Sequence, residues 1–287
     1  MKQKVKQSGF TLAEIAIVLA VIGIAMTMGL KMLTATLENG AISETQAKQE
    51  RIKLALVSYL RTNGRLPCPD TATPATGNEV APCIASNALG YGVLPWLTLQ
   101  LSRDAVLDGW GNFFSYRVAN TQPAVVVRNW TSRTVVPFDI NELTTPNVAL
   151  IIQERTAPAA ALTQITDGAV FVILSHGKNG LGSLTTRGAA RVPPPTAAVA
   201  RDENINGTVG ARTFVRRALN DNPQTPAAGT NPFGPFDDLV AYMTGQELLR
   251  SLTAEKTLFG CQNYCGTGAP GCNATNIPVG NQNATCP

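Results

Sequence analysis

Several things are scarce in this chain. Of 287 residues only one, His176, is histidine, and only 6% are aromatic. A single imidazole rules out every metal site built on paired histidines. Two catalytic signatures are missing as well. No Gly-x-Ser-x-Gly elbow surrounds Ser175-His176, and the Gly177-Lys178-Asn179-Gly180 stretch lacks the spacing of a phosphate loop. Neighbouring residues on a strand point to opposite faces, so Ser175 and His176 read as a strand end entering a turn. These gaps argue against an enzyme.

Charge is scarce too, at 15%, and its absence is concentrated. From Phe10 to Leu30 the only charged residue is Glu14, whereas Lys2, Lys4 and Lys6 precede Gly9 with no acid among them. About twenty apolar residues suffice to span a bilayer as a helix. A carboxylate inside such a span costs roughly 2.5–3.5 kcal/mol at the helix centre, which asks for a partner. No small-residue cleavage site of the secretory kind occurs before Lys31, and no proline occurs from Phe10 to Gly64. The net charge of +4 is mostly the three leading lysines, since without them 20 basic residues face 19 acidic ones. That balance gives no footing for nucleic-acid binding.

What is present sharpens the picture. The six cysteines, Cys68, Cys83, Cys261, Cys265, Cys272 and Cys286, all follow the apolar stretch, in Pro- and Gly-rich surroundings. Such usage predicts disulfides in an oxidising compartment. Cys68 and Cys83 would close one loop worth about 3 kcal/mol. The last four cysteines allow three pairings.

Ser8-Gly9-Phe10-Thr11-Leu12-Ala13-Glu14-Ile15, followed by the apolar run, resembles the class III signal of type IV pilins and type II secretion pseudopilins. The resemblance implies that a prepilin peptidase cuts between Gly9 and Phe10 and methylates Phe10. It implies that Glu14 neutralises the N-terminus of a neighbouring subunit as helices pack into a filament. The partners are then prepilin peptidase, other pilin or pseudopilin subunits and the inner membrane. The N-terminus would be cytoplasmic and the remainder periplasmic. Asp108-Gly109-Trp110-Gly111 through Tyr116 looks like the segment that opens the sheet in major pseudopilins.

The predicted order is a leader (1–9), a transmembrane helix (10–30) and its amphipathic continuation (31–63). A periplasmic α+β pilin-like domain (64–259) and a Cys-rich tail (260–287) follow. The continuation carries Leu33, Leu37, Ile42, Ile52, Leu56, Tyr59 and Leu60 near helical period, with Asn39-Gly40 as a place to bend. Residues 64–95 read as a loop. Strands of an antiparallel sheet are predicted at Phe113–Val118, Ala124–Arg128, Thr134–Phe138, Val148–Gln153 and Ala169–Ser175, with more at Arg212–Arg216 and Phe236–Met243. Thr244-Gly245-Gln246-Glu247 fits a capping box that opens a helix.

One motif suggests a cation. Asp202, Asn204 and Asn206 before Gly207 match the first half of a calcium loop, although Thr213 stands where such a loop places its bidentate Glu. Asp237 and Asp238 are a second calcium candidate. Taken together, these features predict a structural subunit of a type IV pilus or a type II secretion pseudopilus. An alternative is a tip adhesin or DNA-uptake pilin that binds its ligand through C-terminal loops. A membrane-anchored periplasmic enzyme is a third reading, disfavoured by the missing catalytic residues.

Overall fold

The computed structural model describes residues 12–63, 65–81, 83, 90–119, 150–156, 160–186, 190–197, 200–220 and 234–254. Of these, the side chains at 25, 27–31, 249 and 252–254 are not described. The predicted strands Ala124–Arg128 and Thr134–Phe138, and the cysteines from Cys261 onward, lie outside the described residues. The chain divides into two compact units, Met1–Ser43 and Glu44–Pro287. Helix α1 spans Leu12–Asn63, so its residues up to Ser43 belong to the first unit and the others to the second.

In the first unit, every described side chain of α1 from Leu12 to Ile24 is exposed. Ile15, Ile17, Val18, Leu19, Val21 and Ile24 are all at least half exposed. A helix that is apolar all round belongs in a membrane or among other helices rather than in water. Asn39-Gly40 does not interrupt it, because a lone glycine costs about 1 kcal/mol within a helix and the adjoining turns are good helix formers.

Within the second unit α1 becomes one-sided. Thr45, Gln49, Ile52, Leu56 and Leu60 are buried, at steps of three and four residues that line one face. That face packs on a six-stranded sheet. Its strands are β1 (Tyr91–Val93), β3 (Ser115–Val118), β4 (Leu150–Arg155), β5 (Thr163–Ser175), β7 (Thr213–Arg217) and β8 (Leu239–Thr244). A separate small ladder joins β2 (Asn112–Phe113) to β6 (Leu184–Thr185).

β5 is the long member and pairs with three strands. Its first half runs antiparallel to β4, and its second half is antiparallel to β3 and β8. From Ala169 to Ser175 every side chain is buried, because both faces are covered. Phe171 and Ile173 meet α1 residues Ile52, Leu56 and Leu60, together with Phe114, Tyr116 and Val118. Val172 and Leu174 point the other way, into Tyr91, Leu150, Ile152 and Phe214. The alternation follows from the two-residue period of a strand.

The sheet departs from the expected antiparallel arrangement at one pair. β7 runs parallel to β4, with Ile152 opposite Phe214 and Glu154 opposite Arg216. Parallel neighbours need a long crossover, and β5 together with helix α2 (Arg201–Gly207) supplies it. The predicted capping box forms at helix α3 (Gly245–Ala254). The Glu247 amide donates to Thr244 Oγ1 at 3.2 Å, and the Thr244 amide donates to Glu247 Oε2 at 2.9 Å.

The stretch after α1 is organised by two acids. Asp70 accepts from the amides of Ala72, Thr76 and Gly77, while its own backbone bridges Val93 of β1. Strand and loop come so close here that a Cβ on Gly92 would lie 2.4 Å from the Asp70 carbonyl oxygen. Only glycine allows that approach. Glu79 is clasped by both terminal nitrogens of Arg65, and it also accepts from the Cys68 amide at 2.9 Å and from Tyr59. The Cys68–Cys83 disulfide, with Cα atoms 5.7 Å apart and both residues buried, closes this loop as predicted. Replacing both cysteines by serine is expected to lower stability by about 3 kcal/mol, measured by denaturant unfolding under oxidising conditions. An unchanged midpoint would mean that the clasp on Glu79 alone secures the loop.

Candidate functional site

Gly9 and Phe10 lie outside the described residues, but the acid that follows them does not. Glu14 stands in the first turn of α1, where the helix dipole favours a negative charge. It is exposed, as are Leu12, Ile15, Ile17 and Val18 around it. Among the described residues, no helix is long and apolar enough to cross a membrane.

The calcium motif is not built as expected. Residues 202–206 belong to helix α2, and about 100° of rotation per residue carries Asn204 to the side away from Asp202 and Asn206. Each side chain has other work. Asp202 receives Arg155 through Nε at 2.9 Å and Nη2 at 3.0 Å, and Arg217 through Nη1 at 3.2 Å. Asn204 donates to the Pro195 carbonyl at 2.7 Å. Asn206 exchanges two hydrogen bonds with the Val215 backbone and donates to Asp238 Oδ2 at 2.8 Å. Asp202 and Glu203 in the first turn favour the helix over the loop. Among the described residues, no three His, Cys, Asp or Glu side chains are placed to hold a metal ion.

Asp237 and Asp238 do meet α2, through a residue the motif passed over. Glu203 accepts from the Asp237 amide at 3.1 Å and from Asn179 Nδ2 at 3.2 Å. Asp237 Oδ2 accepts from the Asn179 amide at 2.7 Å. Burial, and then the charge of Asp237, push Glu203 up to about 7. Burial, and then the charge of Glu203, raise Asp238 well above the usual carboxylate range. A sequence signal for Glu203 existed only in its place beside Asp202 at a helix start.

Ser175 and His176 diverge, as their strand requires. Ser175 Oγ donates to Asp108 Oδ2 at 2.8 Å, while His176 Nε2 lies 2.9 Å from Ser115 Oγ. Arg191 Nη1 donates to the same Ser115 oxygen at 2.9 Å. On the other side of the ring, His176 Nδ1 stands 3.8 Å from Asp238 Oδ1, too far for a hydrogen bond. Ser115, His176 and Asp238 thus fall in a line that no sequence spacing announced. All three are at most 3% exposed. Burial first, and the Arg191 charge second, lower the imidazole to about 3. The ring is therefore neutral at ordinary pH and serves as a packed hydrogen-bonding element. A groove of about 680 Å³ opens beside this network, lined by Gln49 and Lys53 of α1, Arg216, Asp238 and Tyr242.

The ion pairs around Asp202 are buried, with Arg155 and Arg217 side chains each 8% exposed and Asp202 2%. Removing one partner of a buried pair typically costs 3–5 kcal/mol, because it strands the other charge. Asp202→Ala is expected to lose about that much in chemical denaturation, and a loss under about 1 kcal/mol would show that the arginines find other partners.

Neither a curated protein nor a solved structure matches the chain. Its start does match, because residues 4–30 fit the family model of the prokaryotic N-terminal methylation motif. That match covers Lys4, Lys6, the Gly9-Phe10 junction, Glu14 and the apolar run, so the chain carries the N-terminal signal of type IV pilins and pseudopilins.

Proposed function

We propose that this protein is a structural subunit, a minor pilin or pseudopilin, of a type IV pilus or a type II secretion pseudopilus. Prepilin peptidase would remove residues 1–9 and methylate Phe10. The apolar part of α1 would hold the product in the inner membrane until assembly, with the second unit in the periplasm. The observation that carries this reading is the methylation motif at residues 4–30, continuing into a helix with one acid in its first turn. The uninterrupted apolar sequence from Ile15 to Leu30 supports the anchor, and the buried Cys68–Cys83 bridge supports an oxidising compartment. A structural rather than catalytic role is in keeping with the burial of Ser115, His176 and Asp238.

Cleavage is tested by the mass of the N-terminal peptide from cells with and without prepilin peptidase. The expected product begins at Phe10 and carries one added methyl group only when the peptidase is present. An intact leader in its presence would overturn the assignment. Assembly is tested separately with Glu14→Ala, which should leave cleavage unchanged and abolish recovery of the subunit in sheared filaments. Normal incorporation would show that Glu14 is not the partner of the new N-terminus.

A further inference from the structure

The six-stranded sheet has four outer sides, and they are not treated alike. At β1 the Asp70 backbone exchanges two hydrogen bonds with Val93. At β7 the Asn206 side chain takes the place of a neighbouring strand. Its Oδ1 accepts from the Val215 amide at 2.7 Å, and its Nδ2 donates to the Val215 carbonyl at 3.0 Å. Both sides are thus blunted, as exposed strand edges usually are. The other two have no such cover among the described residues. Phe171 of β5 pairs with Val118 of β3 and with Met243 of β8, and Ala169 pairs with Leu150 of β4 and with Thr244 of β8. A strand has two sides, so β3 and β4 share one side of β5 and β8 takes the other. β8 stops at Thr244, where α3 begins, and its side of β5 has no strand beside it along Thr163–Gly168. The first three of these residues are exposed, Ile165 by 40%. The fourth side belongs to β8, which pairs with β5 alone. Leu239 to Tyr242 line the groove consecutively, as an edge does, whereas a face would offer alternate residues. Gln49 occupies the Leu239 carbonyl and Glu247 the Thr244 amide, which leaves Val240–Met243 open.

Each open side carries one charge without an opposite partner. Arg216 lines the groove and is exposed, with its guanidinium 5.9 Å from the centre of the Tyr242 ring. Among the described residues that guanidinium makes no hydrogen bond or ion pair, although Glu154 stands opposite Arg216 in the ladder. The other charged groups of the groove are engaged. Lys53 pairs with Glu50, Arg217 with Asp202, Glu247 caps α3 and Asp238 accepts from Asn206. Asp167, on the open stretch of β5, likewise has no ion pair among the described residues.

We propose that the open side of β8 in one copy of this chain receives the open stretch of β5 from another copy, with Arg216 and Asp167 drawn together across the junction. Pairing like with like would set Arg216 against Arg216 or Asp167 against Asp167, whereas unlike edges bring opposite charges together. Strand addition supplies the backbone hydrogen bonds, and the charge pair supplies the choice of edge. Because the two edges differ, the contact is head-to-tail. Each copy that joins leaves one edge of each kind open, so the second units extend as a row or close as a ring rather than as a two-fold pair. Every residue of the contact lies in the second unit, and neither the leader nor its removal is involved. The contact therefore stands or falls separately from the subunit role proposed above.

The test is sedimentation velocity of the full chain in detergent over a range of concentrations. The samples are the wild type, Arg216→Glu, Asp167→Lys and an equimolar mixture of the two variants. The wild type should form species larger than a dimer. Each variant alone places like charges across the junction and should raise the concentration needed for association by ~5-fold or more. In the mixture the new acid of one variant meets the new base of the other, while the native Arg216 and Asp167 still meet. Association should then return to the wild-type level, which a pair within one copy could not achieve. If a reversal does not fold, the neutral variants Arg216→Gln and Asp167→Asn decide instead, each weakening association by ~2-fold or more. A wild type that stays monomeric overturns the proposal, as does a mixture that fails to restore association. Association unchanged in the variants also overturns it, because the copies would then meet elsewhere.

Discussion

A strand buried on both faces cannot slide. Were β5 to shift by one residue against its neighbours, Phe171 and Ile173 would trade places with Val172 and Leu174. Each set fits a differently shaped layer, so the register of β5 sets that of β3 and β8 alike. Helix α1 adds a polar check to this apolar one. Gln49 Nε2 donates to the Ile173 carbonyl of β5 at 3.2 Å and to the Leu239 carbonyl of β8 at 2.8 Å. One amide thus ties the helix to both strands at the point where they pair, and the buried stripe from Ile52 to Leu60 then has a single place to lie.

Polar burial in the second unit is arranged around acids that organise backbone. Asp70, Asp108 and Glu79 each gather amides or a guanidinium from segments that have no regular structure of their own. In this way long connections between short strands gain fixed conformations without a large apolar contribution. The acids where α2 meets the start of β8 act in the same way, with Glu203 taking the Asp237 amide and Asn179, Asp237 taking the Asn179 amide, and Asp238 taking Asn206.

How much of this could be read from the residues depends on how local the cause is. The capping box of α3 was legible because Thr244 and Glu247 lie three residues apart and need only each other. The continuity of α1 was legible because no proline breaks it, and the second halves of the strands showed in their β-branched runs. β1 falls within a stretch whose residues suggest a loop, since Tyr91–Val93 is a strand only by virtue of its pairing with β3 and Asp70. The first half of β5, rich in Thr and Gln and partly exposed, carries no apolar signal either. The parallel β4–β7 pair is a matter of topology, which composition does not record. At the sites, the motif through Glu14 was legible because every element of it is contiguous. Where Asp202, Asn204 and Asn206 suggest a loop, the chain forms helix α2, in which alternate residues do not converge. Ser115, His176 and Asp238 come from three distant segments, so their alignment had no trace in sequence.

The pairing of β5 with β8 also has a bearing on time. The second half of β5 rests between β3, which precedes it, and Leu239–Thr244, which is made more than sixty residues later. The core under α1 is therefore incomplete until nearly all of the described chain has been made. Contacts so distant in sequence form slowly, because loop closure must precede the pairing that rewards it. While it waits, the exposed edge of β5 is a strand without a neighbour, the kind of surface that invites wrong partners. In a chain built this way that edge stays open until β8 arrives.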